Sequence, residues 1–343
     1  IQAPGFCATF PEDRCLPGRE RLLEAAAGLL GELLLSPNTR GGLLLPDYVE
    51  RERERLAERI RARRNNKDAY AVLRLVELMC ACESISVGAL GSEQDAENIG
   101  YVALSKHYKA LLASAPVEVF YCGGADWDEA ASAVSAALAT LPRGEIDWEL
   151  GTDIRMNPLE AEPRVFRERM ELSQGKLALG FRTGGVTCWE EEYPAMAMCN
   201  AVFGGTTLSK LFMNVREKLS LCYYASSTLE KMKGLILVSS GIEFDKFQQA
   251  RDEILHQLEE IRQGNMEDWE LEGTRRTMIG AHLATLDVQD RQEDFWLGQT
   301  AAGLETGIEE LVAQLEQVTR EQVAQAAQKL ELDTIYFLKG TEG

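Results

Sequence analysis

Residues 200–224 read NAVFGGTTLSKLFMNVREKLSLCYY, a stretch that encodes a helix-to-strand corner. Gly204 and Gly205 permit a tight or unusual backbone path just ahead of a helix. The spacing predicts that helix over Leu208–Leu219, with Leu208, Leu211, Phe212 and Val215 on its core side and Arg216 near its end. Beyond Leu219 the chain turns into a strand over Tyr223–Leu229. Arg216 and Tyr223 therefore lie near one corner, where both can face a groove. An arginine near a helix end also serves as a cap or ion-pair partner, so its purpose depends on what surrounds it.

Downstream, Leu235-Ile-Leu-Val238 reads as a short buried strand, followed by a helix carrying Phe247, Ile254, Leu258 and Ile261 on one face. Gly264-Asn265 breaks it, and a second helix runs from about Glu267 to Leu283. Helices over Ile308–Val318 and Arg320–Leu330 follow, the latter with Thr319 as its cap, before the closing strand Thr334–Leu338. Upstream of the corner lie the strand Lys176–Arg182 and a helix near Ala195–Phe203.

The first 125 residues follow a similar order. Phe6–Phe10 is expected as a strand. Arg19–Leu35 is expected as a helix with Leu22, Ala26, Leu29, Leu30 and Leu33 on its apolar face. Helices Asp47–Arg64, Ala69–Cys82 and Tyr101–Ala113 follow, and Val117–Tyr121 closes the unit as a strand. Matching features keep similar offsets, 221 residues from Asp47 to Asp268 and 217 from Val117 to Thr334, as an internal duplication would give. The Pro- and Gly-bearing stretch 142–163 has linker composition. The expected fold is α+β, with two homologous domains, each a mainly antiparallel sheet packed with helices. The first spans residues 1–141 and the second 164–343. About 70 residues precede Leu235 in the second copy and almost none precede Phe6 in the first, so a comparable segment is expected upstream of Ile1.

With 36 Lys+Arg against 55 Asp+Glu, the net charge of −19 argues against nucleic acid or an anionic membrane as partner. No apolar run reaches the eighteen or so residues needed to span a bilayer, and no targeting segment is visible. The eight cysteines are scattered, and the Cys80-x-Cys82 pair, taken as helical, points its thiols apart. Free thiols in a reducing, cytoplasmic setting are the expectation.

The Gly-Gly, Ser-x-Leu-Phe, Arg-Glu-x-Leu and Tyr elements of residues 204–223 resemble the second-domain signature of the pitrilysin (insulinase) family of inverted-zincin metallopeptidases, most closely its bacterial mitochondrial-processing-peptidase-like branch. The resemblance extends over nearly the whole chain. It implies two domains facing a chamber that holds an extended peptide. It also implies that an Arg and a Tyr seven residues later contact substrate near the scissile bond, positions held here by Arg216 and Tyr223. A guanidinium and a phenol can both donate hydrogen bonds to a peptide carbonyl or its oxyanion.

The family's metal motif, His-x-x-Glu-His, is absent from this sequence. His107, His256 and His282 lie outside any such pattern, and none is assigned to a metal or to catalysis. The resemblance places the motif in the front of the first domain, upstream of Ile1. Its third ligand, a Glu on a later helix, falls on Arg59 if Glu52-Arg53 begins the match, and on Glu58 if the register shifts by one. A guanidinium would repel zinc. Arg59, Arg61, Arg63 and Arg64 could also form a basic patch for an acidic partner.

Three functions follow. The leading one is a non-catalytic, substrate-binding subunit of a pitrilysin-type heterodimer, with the zinc on a homologous partner chain, or a self-dimer, and a peptide as shared substrate. The alternatives are an active zinc endopeptidase whose motif lies upstream, and a non-proteolytic scaffold or assembly protein.

Overall fold

The computed structural model describes residues 4–18, 21–148 and 151–341. Arg19, the first residue of the first expected helix, lies outside them. In chain order the first half forms α1 (Leu22–Leu35), the two-residue strands β1 (Thr39–Arg40) and β2 (Leu43–Leu44), α2 (Pro46–Ala62), α3 (Lys67–Met79), α4 (Glu93–Asn98), α5 (Tyr101–Ser114) and α6 (Trp127–Ala137). The chain divides into two compact units. One takes the chain up to Arg61 together with Ala89–Gly151, and the other takes Ala62–Gly88 and everything from Thr152.

In the first unit, Leu23 and Ala27 on α1 bury against Ala130 and Ala133 on α6, with Phe10 and Tyr121 packed beside them. The small residues allow close approach: a Cβ on Gly31 would stand 2.6 Å from the Ala137 carbonyl oxygen. β1 and β2 form an antiparallel ladder, anchored where the Ser105 hydroxyl on α5 accepts from the Leu44 N–H at 2.9 Å. Phe6–Phe10 and Val117–Tyr121, expected as strands, belong to no ladder. Alternating apolar residues become a strand only against a neighbour that pairs their backbone groups. Among this unit's described residues, β1 and β2 are the only pairing.

The second unit adds β3 (Arg164–Met170), β4 (Gly175–Arg182), α7 (Tyr193–Asn200), β5 (Cys222–Glu230), β6 (Leu235–Ile242), α8 (Phe247–Arg262), α9 (Asp268–Leu283), α10 (Gln289–Ala302), α11 (Ile308–Gln317), α12 (Arg320–Gln328) and β7 (Glu331–Gly340). Its five strands run in the order β3-β7-β4-β6-β5. β3 lies parallel to β7, and every other pair is antiparallel.

Both faces of this sheet are covered, which explains why its central strands read as unbroken apolar runs. Leu177, Leu179 and Phe181 of β4, Ile236 and Val238 of β6, and Ile335 and Phe337 of β7 bury against α7, α8 and α12. The alternate residues, Ala178, Leu235, Leu237, Tyr336 and Leu338, bury against Ala71, Leu75 and Met79 of α3. Thus α3, early in sequence, covers the outer face of a sheet made from the second half. A Cβ on Gly180 would come within 2.3 Å of the Met79 sulfur, so the helix lies directly over that glycine.

Polar contacts fix α3 at both ends. Asp68 pairs with Lys176 at 2.8 Å and accepts from the Tyr224 hydroxyl. Just past the helix, Glu83 accepts both terminal nitrogens of Arg182, at 2.6 and 3.1 Å. α3 ends at Met79, so Cys80 and Cys82 follow the helix instead of lying within it; Cys80 is buried and Cys82 exposed. No helix is long and apolar enough to cross a membrane among the described residues.

Candidate functional site

The corner lies within the second unit and is built from wide turns. The sequence predicts one helix over Leu208–Leu219. The chain instead completes α7, continues as a π-helical segment over Ala201–Gly205, turns, and resumes as a π-helical segment over Leu211–Lys218. A π turn carries one more residue per hydrogen-bonded ring than an α turn. The Leu219 N–H accordingly donates to the Asn214 carbonyl, five residues back, at 3.0 Å.

Gly204 and Gly205 serve close approach, since neither has a positive φ. A Cβ on Gly204 would stand 2.6 Å from the backbone nitrogen of Ser227 on β5. The glycine therefore lets the π turn rest directly on the strand. Leu211 and Val215 are fully buried beneath it.

The chain reverses at Ser220, whose φ of 51° lies in the left-handed region. The Ser220 N–H donates to the Arg216 carbonyl at 3.1 Å, and the Leu221 N–H to the Val215 carbonyl at 3.0 Å. These bonds tie the end of the π turn to the start of β5. Burial raises the Cys222 thiol pKa, while Ser240 and then the positive charge of Arg216 pull it down.

Tyr223 follows Cys222 at a bulge, where the register to β6 slips. Extra residues at such a bulge are turned out of the ladder, and Tyr223 is 62% exposed. No hydrogen bond engages its hydroxyl among the described residues. The Arg216 side chain is 39% exposed, its nearest carboxylate being Glu217 at 3.5 Å. Its guanidinium carbon stands 4.6 Å from the Phe212 ring centre. Two hydrogen-bond donors, one cationic and one phenolic, are thereby available to a ligand at one corner of the fold.

The described residues do not fit a zinc ion. They contain no group of three His, Cys, Asp or Glu side chains placed to hold a metal. His107 and His256 are exposed on α5 and α8, while His282 at the end of α9 is half-buried. Burial first, and Lys231 second, lower the His282 pKa. Glu58 and Arg59, the two positions considered for a third ligand, are both exposed on α2.

One buried charge cluster escaped the sequence reading. Arg182, at the end of β4, is fully buried; besides Glu83, its Nε donates to Asp333 Oδ2 at 3.0 Å. Arg164 reaches the other Asp333 oxygen at 2.6 Å. Its only sequence signal was an arginine closing an otherwise apolar strand.

The chain is a peptidase-like α+β protein and belongs to the peptidase M16 family. The sequence pattern of the peptidase M16 inactive domain matches residues 98–278. The chain is 34% identical over 340 residues to the probable inactive metalloprotease YmfF of Bacillus subtilis, covering 98% of this chain and 78% of that protein. It superposes on a conserved protein from Enterococcus faecalis V583 with a TM-score of 0.85 and 27% identity, over 97% of this chain and 77% of that one. A peptidase M16 inactive domain from Pseudomonas fluorescens shares the fold, with a TM-score of 0.73 and 20% identity over 93% and 75% of the two chains.

Proposed function

We propose that this chain is a non-catalytic, peptide-holding subunit that acts with a homologous, zinc-bearing peptidase chain. The observation that carries this is the exposure of Arg216 and Tyr223 at one helix-to-strand corner, with no hydrogen bond engaging the Tyr223 hydroxyl among the described residues. The similarity to a probable inactive metalloprotease supports it. In this role the guanidinium and phenol donate hydrogen bonds to backbone carbonyls of an extended peptide, holding it while a partner's metal site cleaves. A charged donor contributes more than a neutral one, so Arg216 supplies most of the affinity and Tyr223 refines the register. If Glu52-Arg53 sets the register, Arg59 stands at the third-ligand position, where a guanidinium would repel zinc; shifted by one residue, Glu58 stands there instead.

The test is to mix purified chain with a zinc-bearing M16 homologue and follow complex formation by size-exclusion chromatography and cleavage of an unstructured peptide. A complex with increased cleavage is expected, with no zinc bound to this chain by elemental analysis. Stoichiometric zinc on this chain, or no complex and no added cleavage, overturns the proposal.

A further inference from the structure

The Arg216 side chain has four rotatable torsions, and a site that must hold a peptide carbonyl gains affinity if those torsions are settled before the ligand arrives. The ion pair to Glu217 cannot settle them. It spans 3.5 Å between side chains that are 39% and 53% exposed, and such contacts contribute little. Two other contacts at the corner act on the backbone and on the guanidinium plane. The Arg216 guanidinium carbon lies over the Phe212 ring, 4.6 Å from its centre, within the range where a cation is drawn to an aromatic face. The π turn carrying both residues is pinned from α8: the Asn214 amide donates to Gln257 Oε1 at 2.7 Å, and the Gln257 amide donates to Glu253 Oε1 at 2.7 Å. Gln257 is buried, so both ends of its amide need partners. Val215, between Asn214 and Arg216, is fully buried and fixes the rotation of the segment.

We infer that Phe212 and the Asn214–Gln257 hydrogen bond are positioning elements that preorganise Arg216 for a peptide carbonyl. The Phe212 ring sets the guanidinium plane, and the clamp from α8 fixes the π turn from which Arg216 projects. The choice of arginine follows, because a planar guanidinium stacks on a ring and still presents its edge donors, whereas a lysine ammonium cannot do both. The ligand half of this inference rests on the peptide-holding role proposed above; the conformational half does not.

Two readouts separate the halves. The first is the Arg216 Nε–Hε resonance in chain labelled with 15N-arginine, assigned by its loss in Arg216→Lys. A ring at that distance should displace the resonance, so Phe212→Leu should move it toward its solvent-exposed position and Phe212→Tyr should leave it in place. The second is the affinity for a fluorescein-labelled, alanine-rich decapeptide blocked at both ends. Phe212→Leu should weaken binding by about two- to five-fold, with Phe212→Tyr within about two-fold of wild type and Gln257→Leu weakened like Phe212→Leu. An Arg216 resonance unmoved by Phe212→Leu overturns the positioning role. So does unchanged peptide affinity in Phe212→Leu when Arg216→Ala weakens it. If Arg216→Ala with Tyr223→Phe binds the peptide like wild type, the peptide-holding role fails instead, and the resonance alone decides the stack.

Discussion

Replacing Arg182 by Met should loosen α3 from the sheet it covers. Arg182 is fully buried, and its two carboxylate partners are 5% and 0% exposed. Glu83 takes both of its ion-pair bonds, at 2.6 and 3.1 Å, from this one guanidinium, its other side-chain partner being the neutral Cys80 thiol. Asp333 loses only its 3.0 Å bond from Nε and keeps Arg164 at 2.6 Å and the Thr334 hydroxyl at 2.7 Å. Removing one partner of a buried ion pair costs about 3–5 kcal/mol, because the other charge is left stranded in a dry site. With Asp333 still paired, the lower end of that range applies, about 3 kcal/mol. Glu83 lies four residues past α3, so the damage should concentrate there. Native-state hydrogen exchange is the assay: amides of α3 should lose protection while those of α8, on the opposite face of the sheet, change less. Adding Glu83→Gln to Arg182→Met removes the stranded charge and should recover part of the loss. A cost below about 1 kcal/mol in urea unfolding, or uniform loss of protection over the second unit, would refute the claim that this cluster clamps α3.

Other perturbations address separate parts of the fold. Gly204→Ala pushes a methyl against the Ser227 backbone nitrogen and should cost about 1–3 kcal/mol by overpacking, read as a lower urea midpoint. Thr319 accepts from the Gln322 N–H and the Gln322 side chain returns a bond to the Thr319 N–H; Thr319→Ala should cost about 1 kcal/mol, measured the same way. His282 has a folded pKa below its ordinary 6.5, from burial first and Lys231 second. The unfolded chain then binds a proton that the folded chain resists, so this residue's contribution to stability should fall as pH drops from about 7 through 6.5 and below. His282→Asn should flatten that slope in thermal melts between pH 7 and 5.

Much of the second unit was legible because its elements are specified locally. Leu235–Val238 could be read as a strand from its apolar run, the α12 start from Thr319, and the α8 face from Ile254, Leu258 and Ile261. What escaped the sequence depends on long-range partners. Phe6–Phe10 and Val117–Tyr121 have the composition of strands, but composition supplies no neighbour. β3 went unnoticed because RVFRERM is an edge strand whose charged residues suit half-exposed positions. The packing of α3 on β4, β6 and β7 joins segments about a hundred or more residues apart, and only Gly180, small and central in an apolar strand, hinted at a close approach. At the corner, the residue types were readable and the geometry was not. Arg216 and Tyr223 were marked by the resemblance to the pitrilysin family, whereas the π turns, the Phe212 contact and the bulge at Tyr223 arise from how the segment seats on β5 and α8.

The central claim is tested most directly by titrating wild-type chain and the Arg216→Ala, Tyr223→Phe double variant into a zinc-bearing M16 homologue while following peptide cleavage. Wild type should raise cleavage until it is equimolar with the homologue. The double variant should form the same complex and raise cleavage about 30-fold less or lower still, the loss expected for one charge-assisted hydrogen bond and one neutral one, about 2–3 kcal/mol together. Equal stimulation by both proteins, or none by either, contradicts a peptide-holding role for this corner.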